Sequence, residues 1–162
     1  MRTLVIGVGN LLRTDDGVGI HVVNNLSELH PDIDALDAAM GSIEILEAIR
    51  GYDRAIIVDA IEAGEEPGTI HRVNLSRNEK PPVMTHSHGT DLITTLQLGE
   101  RLYGKEMPHE IILITVEAED TTTISDKPTP KVRKAIEKLI PQIVALTEEP
   151  SSRACVHKDD EN

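Results

Sequence analysis

The 162-residue chain has no phenylalanine and no tryptophan, and Tyr52 and Tyr103 are its only aromatic residues. Its core must therefore be aliphatic, and it offers no row of aromatic side chains on which nucleic-acid bases could stack. Cysteine is almost as scarce, because Cys155 is the only one and no internal disulfide can form. A chain without disulfides is typical of a reducing compartment, and we expect a cytoplasmic protein.

Positive charge is also in short supply. Sixteen lysines and arginines stand against 28 acids, which gives a net charge of -12 at pH 7. This excess of acids argues against a nucleic-acid partner, since proteins that bind the phosphate backbone carry a basic surface. No apolar run reaches the roughly 20 residues that a membrane span needs, and the first residues show no signal-peptide pattern. We expect a monomer that binds neither nucleic acid nor membrane.

Short apolar runs alternate with amphipathic segments along most of the chain. This alternation is typical of an α/β fold, and it predicts a three-layer α/β/α sandwich around a mostly parallel twisted sheet of about five strands. We expect a single domain over residues 1–147 and a disordered, charged tail over residues 148–162. In the second helix, Ile43, Leu46 and Ile49 are predicted to share the buried side. The predicted strands are 3–8, 33–37, 55–58, 69–75 and 110–116, and the predicted helices are 16–29, 42–50, 89–103 and 130–146.

The stretch LVIGVGNLLRTDDGVG, residues 4–19, carries the strongest signal. A strand runs into a tight turn at Gly7 and Gly9, and two acids, Asp15 and Asp16, open the next helix. One acid is enough to cap a helix, so the second indicates chemistry. A dinucleotide fingerprint would need a third glycine where Leu12 stands, and the two acids would repel a pyrophosphate. A nucleotide-binding module is therefore the weaker alternative.

Acids and histidines follow the predicted strands at positions that share one edge of the sheet. Asp16 follows the first strand, Asp59 ends the third, and His86 and His88 precede a helix. Ligands of parallel sheets bind at this edge, and carboxylate with imidazole suits zinc, nickel, iron or manganese. Three protein ligands would leave positions open for substrate or water. The competing interpretation is structural: Asp16 caps the helix, Asp59 accepts backbone amides, and both histidines lie on the surface.

These motifs resemble those of the hydrogenase maturation endopeptidases, which remove a C-terminal extension from the large subunit of nickel-iron hydrogenases. The family opens with a strand, Gly-x-Gly-Asn-x-Leu and an Asp-Asp/Glu-x-x-Gly helix start, which residues 7–19 match. Its second acid ends a strand before alanine and an apolar residue, as Asp59 does here. Its histidine precedes leucines four and eight positions later, a spacing that His88 fits and His86 does not. The resemblance extends over residues 2–145.

The resemblance implies that Asp16, Asp59 and His88 are both the catalytic and the metal-binding residues. It also implies that the metal is nickel already carried by the large-subunit precursor, and that cleavage requires it. Asp15 is then left as the helix cap. Whether the hydrolysis is of the aspartic type or metal-assisted stays open, and the alternative to a protease is a non-enzymatic nickel-binding checkpoint or chaperone.

Two segments depart from the family pattern. Where the family has a glycine-rich stretch with threonine, this chain reads DAAMGS at residues 37–42. The loop that follows the last strand is acidic, with Glu117, Glu119 and Asp120. We interpret the acidity of this loop as reflecting a different hydrogenase partner.

Overall fold

A computed structural model describes residues 1–38, 42–77 and 88–150. Its strands are β1 (Thr3–Val8), β2 (Asp34–Ala38), β3 (Arg54–Ile61), β4 (Ile70–Asn74) and β5 (Glu110–Glu117). Its helices are α1 (Val18–Leu29), α2 (Ser42–Ile49), α3 (His88–Tyr103) and α4 (Pro130–Glu148), and a short 3-10 turn, Thr14–Gly17, precedes α1. No helix in the described part of the chain is long and apolar enough to cross a membrane.

The strands form one sheet in the order β2-β1-β3-β5-β4. Neighbouring strands are parallel except for β4, which runs antiparallel to β5 at the edge. Antiparallel pairing at this edge follows from the chain, because β4 comes directly after β3 with no crossover helix between them. The predicted mostly parallel sheet of five strands is confirmed.

Helices cover both faces of the sheet. Alternate strand residues point to opposite faces, so Val5 and Ile56 pack with α1 and α4 in one cluster. Ile6 and Ile57 pack with α2 and α3 in the other. Both clusters are built almost entirely from isoleucine, leucine, valine and alanine, as a chain without phenylalanine and tryptophan requires. The three-layer prediction is confirmed.

The buried side of α2 differs from the prediction. Ile45, Leu46 and Ile49 are buried, whereas Ile43 is 63% exposed. At 100° per residue, Ile43 lies about 110° from the centre of that buried stripe. The predicted place of Ile43 on the buried side is therefore wrong.

A buried ion pair lies at the amino edge of the sheet, which is the side at which the parallel strands begin. Arg54 Nε donates to Glu110 Oε2 at 2.7 Å, and both side chains are almost fully buried. The Arg54 guanidinium also donates to the carbonyl oxygens of Leu146 and, at 3.0 Å, Glu149. This pair attaches the last turn of α4 to the sheet.

The predicted limits of the domain and tail stay a prediction, because residues 151–162, which include Cys155, lie outside the described residues.

Candidate active site

The start of α1 contacts the carboxyl ends of β1 and β3 backbone to backbone. A Cβ on Gly7 would lie 2.1 Å from the carbonyl oxygen of Gly19, and a Cβ on Gly19 would lie 2.3 Å from that of Val58. Gly9 has a φ of +133°, and its Cβ would lie 1.9 Å from the carbonyl oxygen of Asp16. Real Cβ atoms do not approach so closely, so only glycine fits at these three positions. The glycines bring the turn that carries Asp16 against the end of β3.

Two carboxyl groups lie between the ends of β1 and β3. Asp16 is 8% exposed, and its Oδ2 accepts the backbone N–H of Asn10 at 3.1 Å. Asp59 is 1% exposed, and its Oδ1 accepts the backbone N–H of Ala60 at 2.8 Å. Burial raises the pKa of Asp59 to about 8, against the opposing effect of the Ala60 N–H, and the charge of Asp16 adds to the rise. Without a cation nearby, Asp59 is therefore largely protonated at pH 7.

The position of this acid pair is the one at which α/β sheets bind ligands. The chain leaves β1 toward β2 on one side, and β3 lies on the other side. Such a reversal of strand order opens a crevice at the carboxyl ends of the strands. Two buried acids in this crevice favour a cation, because a divalent ion relieves their mutual repulsion and takes the place of the proton.

The third predicted ligand, His88, is the first residue of α3. One turn later, Leu92 packs in the same cluster as Ile57 of β3. Since alternate strand residues share a face, Asp59 lies on the face that α3 covers. The side chain of His88 and the whole of His86 fall outside the described residues, among which no group of three acids, histidines or cysteines could hold a metal. His88 stays a prediction.

Asp15 does not cap α1. Its buried carboxylate accepts the backbone N–H groups of Glu119 and Asp120 at 2.9 and 3.0 Å. It also accepts the N–H and hydroxyl of Thr129 at 2.7 and 2.8 Å. The N-cap of α1 is Gly17, which makes no side-chain cap. The prediction for Asp15 is therefore wrong: this acid attaches the loop after β5 and the start of α4 to the turn before α1.

Two of the three acids in the loop after β5 have structural roles. Glu117 is buried, and its carboxylate accepts the N–H groups of residues 63–65 at 2.8 to 3.1 Å. It stabilises the turn between β3 and β4, so it cannot contact a partner. Asp120 accepts N–H groups of Thr122 and Thr123 in its own loop. Of the three acids, Glu119 alone is exposed.

Two exposed apolar side chains border the site. Arg13 and Ser125 form a parallel β-bridge, which places the preceding residues, Leu12 and Ile124, side by side. Leu12 is 60% exposed and Ile124 is 85% exposed. Thr14 has a φ of +54°, which is unfavourable for a β-branched residue, and its N–H donates to the carbonyl of Ser125 at 3.0 Å. The bridge and this hydrogen bond join the two segments, and both apolar side chains stay exposed.

The sequence analysis missed Thr115. In the register of β3 and β5, Thr115 is the partner of Asp59. Its side chain is fully buried, and its hydroxyl has no hydrogen-bond partner in the described part of the chain. No sequence signal could have singled it out, because threonine is a common strand residue and the pairing is between strands far apart in the chain.

The fold and the acid pair define a class: an α/β sandwich protein with a candidate cation site at its strand-order reversal. The family model described as hydrogenase maturation protease matches residues 20–146. Over 159 residues the chain is 31% identical to the hydrogenase 2 maturation protease of Escherichia coli K12, and the match covers 92% of each. The chain therefore belongs to the hydrogenase maturation protease family and is a peptidase, which confirms the resemblance.

Solved structures agree with this assignment. The structure of the hydrogenase maturating endopeptidase HybD from E. coli matches with a TM-score of 0.74 and 30% identity, over 91% of this chain and 93% of that one. The [NiFe] hydrogenase maturation protease HybD from Thermococcus kodakarensis matches with a TM-score of 0.76 over 90% and 99%. At 23% identity, the second likeness concerns the fold alone.

Proposed function

We propose that this chain is the endopeptidase that removes the C-terminal extension of a nickel-iron hydrogenase large-subunit precursor after nickel insertion. Family membership supports a peptidase that acts on a hydrogenase precursor. The observation that carries the nickel requirement is the buried acid pair, Asp16 and Asp59. Ionisation of both acids in a crevice is unfavourable without a cation and becomes favourable when a divalent cation replaces the proton of Asp59.

The donor set fits nickel that belongs to the substrate. Asp16 and Asp59 supply carboxylate oxygens, and the predicted third ligand, His88, would supply an imidazole nitrogen, a donor that suits nickel. Within the described residues, no lysine, arginine or histidine forms an ion pair with either acid. The protein itself therefore leaves the charge of the pair to be balanced by a ligand.

In the proposed mechanism the acid pair first binds and positions the substrate. Binding the nickel of the precursor at Asp16 and Asp59 holds the adjoining scissile peptide in one place, which removes much of the entropic barrier. A water molecule then attacks the scissile carbonyl carbon. Its proton passes to a carboxylate that acts as general base, and returns to the leaving amine as the C–N bond breaks. Both an aspartic-type and a metal-assisted route fit this sequence of steps.

The precursor is proposed to approach the acids over Leu12 and Ile124. The backbone N–H of Leu12 donates to Asn10 Oδ1 at 3.0 Å, and the N–H of Asn10 donates to Asp16. Leu12 and the Asp16 carboxylate thus belong to one hydrogen-bonded turn, and Ile124 lies beside that turn across the bridge between Arg13 and Ser125. A precursor whose nickel lies at Asp16 would extend across this surface, and an apolar side chain near the scissile bond would be buried there.

The test uses purified precursor with and without nickel. We expect the protein to shorten the nickel-loaded precursor at its C-terminus, seen as a loss of mass, and to leave the nickel-free precursor intact. Nickel-dependent binding without a change of mass would show instead a non-enzymatic checkpoint or chaperone. Equal cleavage of both precursors would contradict the role of nickel.

A nucleotide-binding module is disfavoured by the glycine contacts. In a dinucleotide site, glycines let the backbone approach a pyrophosphate. Here the space beside Gly7 and Gly9 is taken by the carbonyl oxygens of Gly19 and Asp16. A change in melting temperature with added dinucleotide, without any response to precursor, would favour that alternative.

We also propose that the protein works as a monomer in the cytoplasm. A single cysteine suits a reducing compartment, and a net charge of -12 favours separate chains through mutual repulsion. Sedimentation at physiological salt is expected to give one species of about the chain mass, 17.8 kDa. Fractionation of the source cells would test the compartment.

A further inference from the structure

The hydroxyl group of Thr115 has no structural explanation. It is fully buried on β5, and in the described part of the chain it neither donates nor accepts a hydrogen bond. Leaving a buried hydroxyl without a partner is unfavourable, and a valine of the same shape would avoid the loss. Such a hydroxyl is available for a role outside the packing of the sheet, and its position decides which role that is.

The position of Thr115 points to Asp59. The two residues are register partners on adjacent parallel strands, which lie about 4.8 Å apart. Register partners share a face, and Ile57 and Leu113, two residues earlier on each strand, both pack under α3. The neighbour of Thr115 on its other side is His71 of β4, whose ring contacts Glu65. Of the two register partners of Thr115, Asp59 is therefore the candidate acceptor for its hydroxyl.

The Asp59 carboxylate has room for another hydrogen bond. Its Oδ1 accepts the N–H of Ala60, and its Oδ2 accepts no hydrogen bond from the described residues. A carboxylate can accept about four contacts, so it can hold a backbone N–H, a cation and a hydroxyl together. Carboxylates that ligate metals are commonly held by such further hydrogen bonds.

We propose that Thr115 is a positioning residue for Asp59, whose hydroxyl donates to the carboxylate when Asp59 binds the nickel of the substrate. The inference rests on the proposed function. Because the two residues are register partners on strands about 4.8 Å apart, a change of the Thr115 side-chain rotamer is the movement that this hydrogen bond would require. The hydrogen bond fixes the direction in which the free carboxylate oxygen faces the cation, and the buried hydroxyl gains the partner that it otherwise lacks.

The test compares three variants of the full chain: Thr115→Val, Thr115→Ser and Thr3→Val. Thr3 offers a matched control, because its hydroxyl is also buried and has no partner among the described residues, but it lies at the amino edge, at the start of β1. Nickel chloride is titrated into each protein, melting temperatures are recorded, and kcat/KM is measured on nickel-loaded precursor.

We expect Thr115→Val to keep or raise the melting temperature while nickel affinity or kcat/KM falls about tenfold. Thr115→Ser is expected to stay within about twofold of wild type, because it keeps the hydroxyl. Thr3→Val should leave nickel affinity and kcat/KM unchanged. The inference is overturned if Thr115→Val matches wild type in both nickel affinity and kcat/KM, or if Thr115→Ser loses as much of them as Thr115→Val.

A fourth protein, Asp16→Asn, separates this inference from the proposed function. If Asp16→Asn loses cleavage while Thr115→Val behaves as wild type, only the role of Thr115 fails. If Asp16→Asn processes the precursor as well as wild type, the proposed nickel site fails, and the role of Thr115 fails with it.

Discussion

Buried charge is arranged in opposite ways at the amino edge of the sheet, where the parallel strands begin, and at its carboxyl edge, where they end. At the amino edge, Arg54 and Glu110 form a buried ion pair, and the remaining N–H groups of Arg54 donate to carbonyl oxygens at the end of α4. At the carboxyl edge, Asp16 and Asp59 are both acidic, and within the described residues neither has a cationic partner. The buried charges at the amino edge are paired with each other, whereas the acids at the carboxyl edge have no cation among the described residues.

This difference separates structure from function. A buried charge with a full set of partners is compensated within the protein and gains nothing from a ligand, although removal of one partner is strongly destabilising. Two neighbouring buried acids do not both ionise readily, so Asp59 keeps its proton, and a perturbed pair of this kind indicates a site for a cationic ligand. The comparison predicts opposite results for substitutions at the two edges: loss of stability at one, loss of activity at the other.

The largest effect is expected for Asp16→Asn. Asparagine keeps the shape and an oxygen for the Asn10 N–H, but it removes the negative charge that a cation needs. Processing of nickel-loaded precursor should fall at least about 1,000-fold, as for other groups on which the chemistry depends. The melting temperature should stay the same or rise. Substantial processing by this variant, measured by mass spectrometry, would contradict the assignment.

Arg54→Met tests the other edge. It leaves Glu110 buried without its partner, which destabilises by about 3–5 kcal/mol. Urea unfolding should show this loss, while kcat/KM of the protein that remains folded should stay near wild type. The control is the double variant Arg54→Met with Glu110→Leu, which removes both charges and should recover much of the stability. A lasting loss of kcat/KM in the double variant would break the proposed separation of the two edges.

The pH dependence of stability should reveal Asp59. Its pKa is near 3.8 when unfolded and about 8 when folded, so between these values the folded state binds the extra proton. The stabilisation from this group is therefore complete below pH 3.8 and is lost as the pH rises through 8. Melting temperatures at pH 5 and pH 8.5 should differ by several degrees more in wild type than in Asp59→Asn. Equal differences in the two proteins would argue against a raised pKa.

The smallest effect is expected for Leu12, one of the two exposed apolar residues that border the site. Leu12→Asp should lower kcat/KM on nickel-loaded precursor about tenfold, the loss expected when one apolar contact with the substrate is removed. Its melting temperature should be unchanged, because Leu12 is exposed. Leu29→Asp is the matched control, since Leu29 is 63% exposed at the far end of α1. An equal loss of kcat/KM in both variants would show that the added negative charge, and not a lost apolar contact, is the cause.

Much of the fold was predictable, because strand and helix periodicity are local properties. The five strands and four helices lie within a few residues of their predicted limits. The error at Ile43 has a geometric cause, since three apolar residues at positions 43, 46 and 49 fit one stripe as well as positions 45, 46 and 49 do. Only the sheet beneath α2 selects between the two, and it selects the stripe that contains Ile45.

The candidate site was predictable only in part. The doubled acid indicated that one carboxylate was surplus, but the sequence assigned the wrong structural task to Asp15. Its hydrogen-bond partners, Glu119, Asp120 and Thr129, lie more than 100 residues away along the chain. The structural role of Glu117 was also beyond prediction, because its partners belong to a turn more than 50 residues earlier.

The sequence by itself determined the layers, the mostly parallel sheet and the two acids that follow β1 and β3, because each depends on residues close together in the chain. Only the tertiary structure decided how those acids meet. It brings Asp16 to Asp59 through glycine contacts between backbones, buries Asp59 so that its pKa rises, and sets Thr115 beside it. Strand register and burial arise from distant segments packed together, and local patterns carry no record of them.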